Sequence, residues 1–166
     1  MYRTAILTVS DKGASGQRED RSVQALRDVL AGGPFVEVDY ELVPDEQARI
    51  RAKLRLWSDA DDVDLVLTCG GTGLSLRDRT PEATREVIER DVPGLPELMR
   101  SVGARSNPLA VLSRGLVGVR RGTLIVNLPG SPPGASEALG AALPVLPHAL
   151  DVLKGEGHAD PGAWHE

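Results

Sequence analysis

Leu65-Val-Leu-Thr-Cys-Gly-Gly-Thr-Gly73, followed closely by Arg77-Asp-Arg-Thr-Pro-Glu82, is the stretch from which the fold is read. Leu65 to Cys69 is an uninterrupted apolar and small run, the composition of a parallel strand covered on both faces. Gly70, Gly71 and Gly73 then remove side chains that would hold a ligand away from the backbone N–H groups, and they permit positive φ. Consecutive amides turned inward in this way form a nest for phosphate or carboxylate. After a short loop, Thr80 is the expected N-cap of a helix, with Pro81 at its first position and Glu82 in its first turn. Asp78 is thereby held just outside a helix start. The loop is neither a dinucleotide fingerprint, which needs glycine at Leu76, nor a Walker A loop, which needs Gly-Lys followed by Ser or Thr. Taken alone, Gly-Gly-Thr-Gly is also compatible with a tight structural turn.

Working outward, strand-like and helix-like segments alternate. Thr4 to Val9 is β-rich, and Arg21 to Leu30 sets Val23, Leu26, Val29 and Leu30 on one helical stripe ended by Gly32 and Gly33. Val36, Val38, Tyr40 and Leu42 alternate as a second strand, and Pro44-Asp45 is expected to open a helix carrying Ile50, Leu54 and Trp57. A helix from Pro81 to about Arg90 follows the Leu65–Cys69 strand and stops at Val92-Pro93-Gly94. Another is expected from Leu95 to Val102. The stretch from Leu109 to Val126 reads as short extended pieces, Thr123 to Leu128 as a buried strand, and a closing helix from about Ala135 is kinked or divided by Pro144 and Pro147. Repeated β-α units with buried strands imply an α/β fold, a three-layer, mostly parallel sheet flanked by helices. Ligands of such sheets bind beyond the carboxyl ends of the strands. Ser10-Asp11-Lys12-Gly13, Gly70 to Asp78 and Asn127 to Ser131 are expected to meet there. Residues 1–154 read as a single domain, and 155–166 as a loose polar tail.

A chain of 166 residues is long enough to bury one substantial core. Aromatic residues make up only 3%, so that core must be filled by Leu, Val, Ile and Ala. A net charge of -5 argues against general nucleic-acid binding, which relies on excess Lys and Arg. Any anionic ligand must therefore meet a local positive patch or a metal. The single cysteine, Cys69, has no disulfide partner within the chain, and no signal-like n-region and h-region precede the first strand, so the expected location is cytoplasmic. No apolar segment approaches the roughly 20 residues that span a bilayer, so no membrane partner is expected.

Thr8-Val-Ser-Asp11, Glu19-Asp-Arg-Ser22, Pro44-Asp-Glu46, Thr68-x-Gly-Gly-Thr-Gly73, Arg77-Asp-x-Thr-Pro-Glu82, Leu112-Ser-Arg-Gly115 and Asn127-Leu-Pro-Gly-Ser131 occur in this order. Together, from about Thr4 to Lys154, they closely resemble the Mog-type molybdopterin adenylyltransferases, including the corresponding domain of gephyrin. The resemblance implies a homotrimeric protein of molybdenum-cofactor biosynthesis. It would transfer AMP from ATP, with Mg²⁺, to the terminal phosphate of molybdopterin, release pyrophosphate and hand the adenylated product to a molybdenum-insertion protein. It also implies functional importance for Asp45 and Asp78. Holding Mg²⁺ against phosphates needs one or two carboxylates. Asp78 is the first choice, Asp45 the second and Asp20 the third. Gly70, Gly71, Thr72 and Gly73 are candidates to cradle ATP phosphate or adenosine, and Ser10, Ser113, Arg114 and Ser131 to hold the pterin side.

Plainer roles compete with these assignments. Asp45 is placed to cap a helix, Asp20 to cap the first helix, and Asp78 to favour a helix N-terminus. Arg77, Arg79, Arg120 and Arg121 read as solvated surface charges. Cys69 reads as a small buried side chain, and His148 as part of the apolar closing helix; His158 and His165 belong to the tail, so no zinc site is argued. Many relatives carry lysine or another polar residue where this chain has Pro133, and Leu74-Ser-Leu76 is less basic than in some, which bears on substrate affinity. Some proteins of this fold bind the pterin without transfer, as non-catalytic binding or scaffold modules; retention of both Asp45 and Asp78 favours the enzyme.

Overall fold

The structure, a computed structural model, describes residues 1–157. Strand β1 (Tyr2–Val9) leads through a single-turn helix α1 (Asp11–Ala14) to helix α2 (Arg21–Leu30), and β2 (Phe35–Val43) leads to α3 (Gln47–Asp59). Next come β3 (Leu65–Cys69), α4 (Thr80–Arg85), β4 (Arg90–Asp91) and α5 (Gly94–Ser106). A 3₁₀ helix (Pro108–Leu112), β5 (Val117–Arg120), β6 (Thr123–Leu128), α6 (Pro132–Ala142) and α7 (Leu146–Leu153) complete the chain.

Among the described residues six strands form one sheet in the order β2-β1-β3-β6-β5-β4. The four strands from β2 to β6 run parallel, and β5 and β4 close the edge antiparallel. Alternate side chains of the buried strands serve opposite faces. Ile6, Leu65, Leu67, Val126 and Leu128 pack against Leu26, Leu139, Leu146 and Leu150 of α2, α6 and α7. On the other face Leu7, Val66 and Ile125 meet Ile50, Leu54 and Trp57 of α3 with Ala83 of α4. The expected three-layer, mostly parallel architecture is the one found.

Several local expectations are corrected. The second helix begins at Gln47 rather than Pro44-Asp45, because the Asp45 backbone and carboxylate are both engaged with Asp11. Thr80 is the first helical residue and not the cap; its hydroxyl donates instead to the Gly70 carbonyl at 2.9 Å. Helix α4 ends at Arg85 because the following residues are drawn into the sheet: Glu89 N–H donates to Val119 O and Val92 N–H to Val117 O, each at 2.8 Å. Helix α5 outruns its expected end at Val102, and Pro108–Leu112 coils as a 3₁₀ turn where extended chain was expected, started by Asn107 accepting from Leu109 N–H. The closing helix starts at Pro132 and divides before Leu146, with Pro147 in the first turn of α7. Of the expected tail, Gly155 to Gly157 are described, while residues 158–166, with His158 and His165, lie outside the described residues.

One buried polar group ties the sheet to the helix behind the glycine loop. Asn127, fully enclosed on β6, donates through Nδ2 to Thr68 Oγ1 (2.9 Å) and Thr84 Oγ1 (3.0 Å) and accepts the Leu116 N–H at 3.0 Å. Asn127→Ala leaves a buried N–H unpaired, at a cost of about 2 kcal/mol or more. We expect Tm to fall by roughly 4–8 °C in a chain of this size. An unchanged melting curve would show that the network adds nothing to stability.

Candidate functional site

Parallel neighbours that end in register deliver their next residues to the same place. Val9 of β1 is paired with Val43 of β2, so Asp11 and Asp45, each two residues further on, arrive side by side. They exchange hydrogen bonds: Asp11 N–H donates to Asp45 Oδ2 (3.0 Å), and Asp45 N–H donates to Asp11 Oδ1 (2.9 Å). Arg77, from the loop after β3, donates to both Asp11 oxygens, Nη2 to Oδ1 at 2.7 Å and Nε to Oδ2 at 2.9 Å. The two carboxylates therefore differ electrically. The Arg77 hydrogen bonds hold Asp11 below the usual carboxylate range. Burial pushes Asp45 above it, and the charges of Asp11 and Asp78 add to that rise.

Between these carboxylates and Asp78 runs the glycine loop. Gly70 and Gly71 have φ of +103° and +68°. A Cβ on Gly70 would overlap the Val9 carbonyl oxygen, and one on Gly71 would overlap Thr80 Oγ1. Asp45 Oδ1 lies 3.2 Å from where a Gly71 Cβ would be, and Asp78 Oδ2 lies 2.8 Å from where a Gly73 Cβ would be. The absence of side chains is thus what lets both carboxylates close on the loop. Asp78 is fixed by its own turn, accepting from Ser75 N–H at 3.0 Å while its N–H donates to Ser75 O at 2.9 Å.

Two cavities flank this centre, and Gly71, Asp78, Gly130 and Ser131 belong to the walls of both. The first, of about 680 Å³, lies over the ends of β1 and β3 and is polar, with Ser10, Asp20, Ser22, Asp45, Arg18 and Arg21 on its walls. Thr8 Oγ1 is buried at this cavity; it approaches the Tyr40 hydroxyl closely enough to ease its ionisation but completes no hydrogen bond. The second, of about 640 Å³, is bounded by Pro96, Met99 and Arg100 of α5, by Leu109 and Leu112, and by Ser113 and Asn127. Both volumes lie within the range of small-molecule sites.

The sequence-derived residues distribute as follows. Asp45, Gly70, Gly71 and Asp78 come together, with Thr72 and Gly73 on the second-cavity side. Ser10 lies in the first cavity, Ser113 in the second, and Ser131 in the wall between them. Ser10 and Ser131 also cap helices, accepting from Gly13 N–H (3.1 Å) and Gly134 N–H (3.2 Å). Arg114 lines neither cavity: its guanidinium pairs with Glu82 and donates to the carbonyls of Gly73 (2.9 Å) and Asp78 (2.8 Å), so it braces the loop from outside. Asp20 caps α2 through Val23 N–H (3.1 Å) and accepts from the Tyr40 hydroxyl. That bond and burial push the Tyr40 hydroxyl up to about 12. Cys69 is enclosed, and burial likewise raises its thiol to about 12, far from a reactive thiolate.

Sequence reasoning missed Asp11 as Asp45's partner, Arg77 as its clamp, Ser22, whose hydroxyl donates to Gly130 O at 2.5 Å, and Arg100. Asp11 was within reach: once β1 and β2 are taken as parallel neighbours ending together, its offset from Val9 equals that of Asp45 from Val43. Among the described residues no three Asp, Glu, His or Cys side chains converge on a point, so a dedicated metal cage is absent. The donor set does fit Mg²⁺ shared with phosphate, which needs only one or two carboxylates. Asp45, already burdened by the Asp78 charge, and Asp78 are the two carboxylates that could supply them.

Known proteins bear on this geometry. Residues 5–148 match the family model described as a probable molybdopterin binding domain. The chain is 42% identical over 152 residues to a molybdopterin adenylyltransferase of Helicobacter pylori, covering 90% of this chain and 86% of that protein. With the molybdopterin adenylyltransferase of Escherichia coli K12 it shares 41% identity over 140 residues, 82% of this chain and 71% of that one. The molybdopterin biosynthesis enzyme MoaB from Thermus thermophilus superposes with a TM-score of 0.89 at 63% identity, over 93% of this chain and 98% of that one.

The raised Asp45 has a consequence for stability. A carboxyl whose folded pKa exceeds its unfolded value destabilises the fold while ionised, and stability returns as pH falls and the folded chain takes the proton first. Asp45→Asn keeps an acceptor for Asp11 N–H and removes the charge. Its Tm should exceed that of the parent at neutral pH, with the gap narrowing as the medium is acidified; a lower Tm at neutral pH would contradict this electrostatic account.

Proposed function

The chain belongs to the molybdopterin-binding-domain family of molybdenum-cofactor biosynthesis, and from that premise we propose that it is a molybdopterin adenylyltransferase joining AMP from ATP to the terminal phosphate of molybdopterin. The observation that carries this reading is the placement of Asp45, in the first cavity, and Asp78, in the wall common to both cavities, against one glycine-rich loop. Joining two phosphate-bearing molecules needs two compartments that open on one another. Each holds a substrate, and the reacting phosphates meet at the partition.

In this reading an oxygen of the molybdopterin phosphate attacks the α-phosphorus of ATP. The new phosphoanhydride bond forms as the bond to pyrophosphate breaks, and pyrophosphate leaves with the electron pair. Asp78 and Asp45 would hold Mg²⁺, which would supply neutralisation of phosphate charge. Phosphate would meet the amides from Gly71 to Gly73, closely at the two glycines because no side chain intervenes, while the Gly70 N–H is held by the Leu128 carbonyl at 3.1 Å. Ser131, at the start of α6 and in both cavity walls, orients the group that crosses between them. Arg77 keeps Asp11 occupied, so Asp45 retains one oxygen toward the loop. Arg114 holds the Asp78 turn through backbone carbonyls. Asp20, engaged with Tyr40, stands further from this role, and Ser10 and Ser113 each serve the substrate in their own cavity.

Assembly as a homotrimer belongs to the same reading. Leu109, Val111 and Leu112 stand exposed on one 3₁₀ helix, a placement that favours burial against a second copy. Light scattering should give the mass of three chains, and Val111→Lys should lower it; a monomeric parent would remove this part. The product then passes to a molybdenum-insertion protein, in the cytoplasm. Among the described residues no helix is long and apolar enough to cross a membrane.

The deciding test is incubation with molybdopterin, ATP and Mg²⁺, with adenylated pterin and pyrophosphate quantified by chromatography. Equal amounts of both are expected. Pterin retained without product would assign the chain to the binding or scaffold role instead. Asp78→Ala should leave Tm nearly unchanged and lower turnover by more than the ~100-fold that loss of an outer metal-site partner can cause. Loss of fold along with activity would make the carboxylate structural.

A further inference from the structure

Arg100 lies on α5, half-buried in the wall of the second cavity. Its Nη1 donates to the carbonyls of Ser113 (3.3 Å) and Gly115 (3.1 Å). Those bonds fix the guanidinium, and among the described residues the Nε and Nη2 donors are unspent. Other arginines with comparably covered side chains have found a carboxylate: Arg27 pairs with Glu37, Arg114 with Glu82, and Arg120 with Asp59. Among the described residues Arg100 has no carboxylate within 4.0 Å. The wall around it is largely apolar, built from Pro96, Met99, Leu109, Leu112 and Pro133. Glu137, in the same cavity, has one oxygen occupied by the Ser106 hydroxyl at 2.6 Å.

A cation held in a partly desolvated wall without a counter-charge is a site awaiting an anion. The planar, two-pronged donor edge of arginine suits phosphate in particular. Ser113 supplies a hydroxyl in the same cavity, and Ser131 another from the partition. We propose that Arg100 anchors the phosphate-bearing end of the ligand seated in the second cavity, while the apolar wall holds the flat heterocycle. This rests on the reading of the site given under Proposed function. Molybdopterin and ATP share that chemistry, a phosphate on a heterocyclic body, and the test separates them.

The experiment compares the full chain with Arg100→Gln and Arg100→Lys. Glutamine keeps an N–H donor for the carbonyls but no charge, and lysine restores the charge without the fork. Titrations would use molybdopterin, dephosphorylated molybdopterin and ATP, with Tm as a folding control. Arg100→Gln should bind molybdopterin about ten- to a hundredfold more weakly, the range for losing a charged hydrogen bond. It should bind the dephosphorylated pterin as the parent does, and Arg100→Lys should recover part of the loss. Weakening confined to ATP would keep the anchor and assign the cavity to the nucleotide. Equal weakening for phosphorylated and dephosphorylated pterin, with ATP unaffected, or no weakening at all, would overturn the proposal while leaving the adenylyltransferase reading intact. A parent chain that binds neither molybdopterin nor ATP would overturn that reading, and this anchor with it.

Discussion

At the carboxyl ends of β1, β3 and β6 three backbones pass so closely that only glycine fits, and the site depends on that approach. Gly70 turns with positive φ directly against the Val9 carbonyl, while a Cβ on Gly130 would lie 3.2 Å from Gly70 Cα. Thr80 then locks the loop from the other side: its N–H donates to Gly71 O at 3.1 Å, and its hydroxyl to Gly70 O. Any side chain at Gly70 would push the β1 end from the β3 loop and separate Asp45 from Asp78. The glycines thus serve geometry first and ligand approach second. Both follow from removing the same atoms.

That close approach also gathers like charges. Asp45 is partly buried beside Asp11 and within the influence of Asp78, and only Asp11 is given a cation, Arg77. A fold selected for stability alone would neutralise Asp45 or turn it outward, as it has done with most of its other carboxylates: Glu86 meets Arg51, and Asp59 meets Arg120. Two acids left to strain against each other at a cavity wall mark a functional site, and in the proposed reading a cation arriving with phosphate would relieve them. Arg77 and Arg114 make this tolerable by holding their loops through Asp11, Glu82 and backbone carbonyls, so the tension stays local.

The parallel centre of the sheet was legible because β1, β3 and β6 are largely buried runs, each followed by a helix before the next strand or the end of the described chain. Leu65 to Cys69 and Thr123 to Leu128 carry that signal within single segments. What escaped was decided between segments. Arg90 and Asp91 look like a helix end, and only the exposed edge of β5 makes them a strand. The Thr80 hydroxyl has the chemistry of a cap, but the Gly70 carbonyl, ten residues away in sequence, offered it a buried partner. The expectation that three loops converge rested on strand adjacency, and β1-β3-β6 are adjacent as required. Side-chain commitments were the hardest part: Arg114 has the right charge and lies one residue from Ser113, but alternate residues of a loop face different ways, and it meets Glu82 outside both cavities.

This division of the arginines is itself informative in a chain with net charge -5. Half of the sixteen guanidiniums are paired with carboxylates, and the exposed pairs among them add little to stability. Arg18, Arg21 and Arg100, each in a cavity wall, have no carboxylate partner among the described residues. These three place guanidinium donors on both sides of the partition that carries Asp78, among carboxylates that outnumber them in each cavity wall. In the adenylyltransferase reading these donors would hydrogen-bond the two phosphate-bearing substrates, and the acids between them would repel both until a divalent cation joined the complex. On that reading the approach of the two phosphates to one another would become favourable only once the acids at the centre were neutralised.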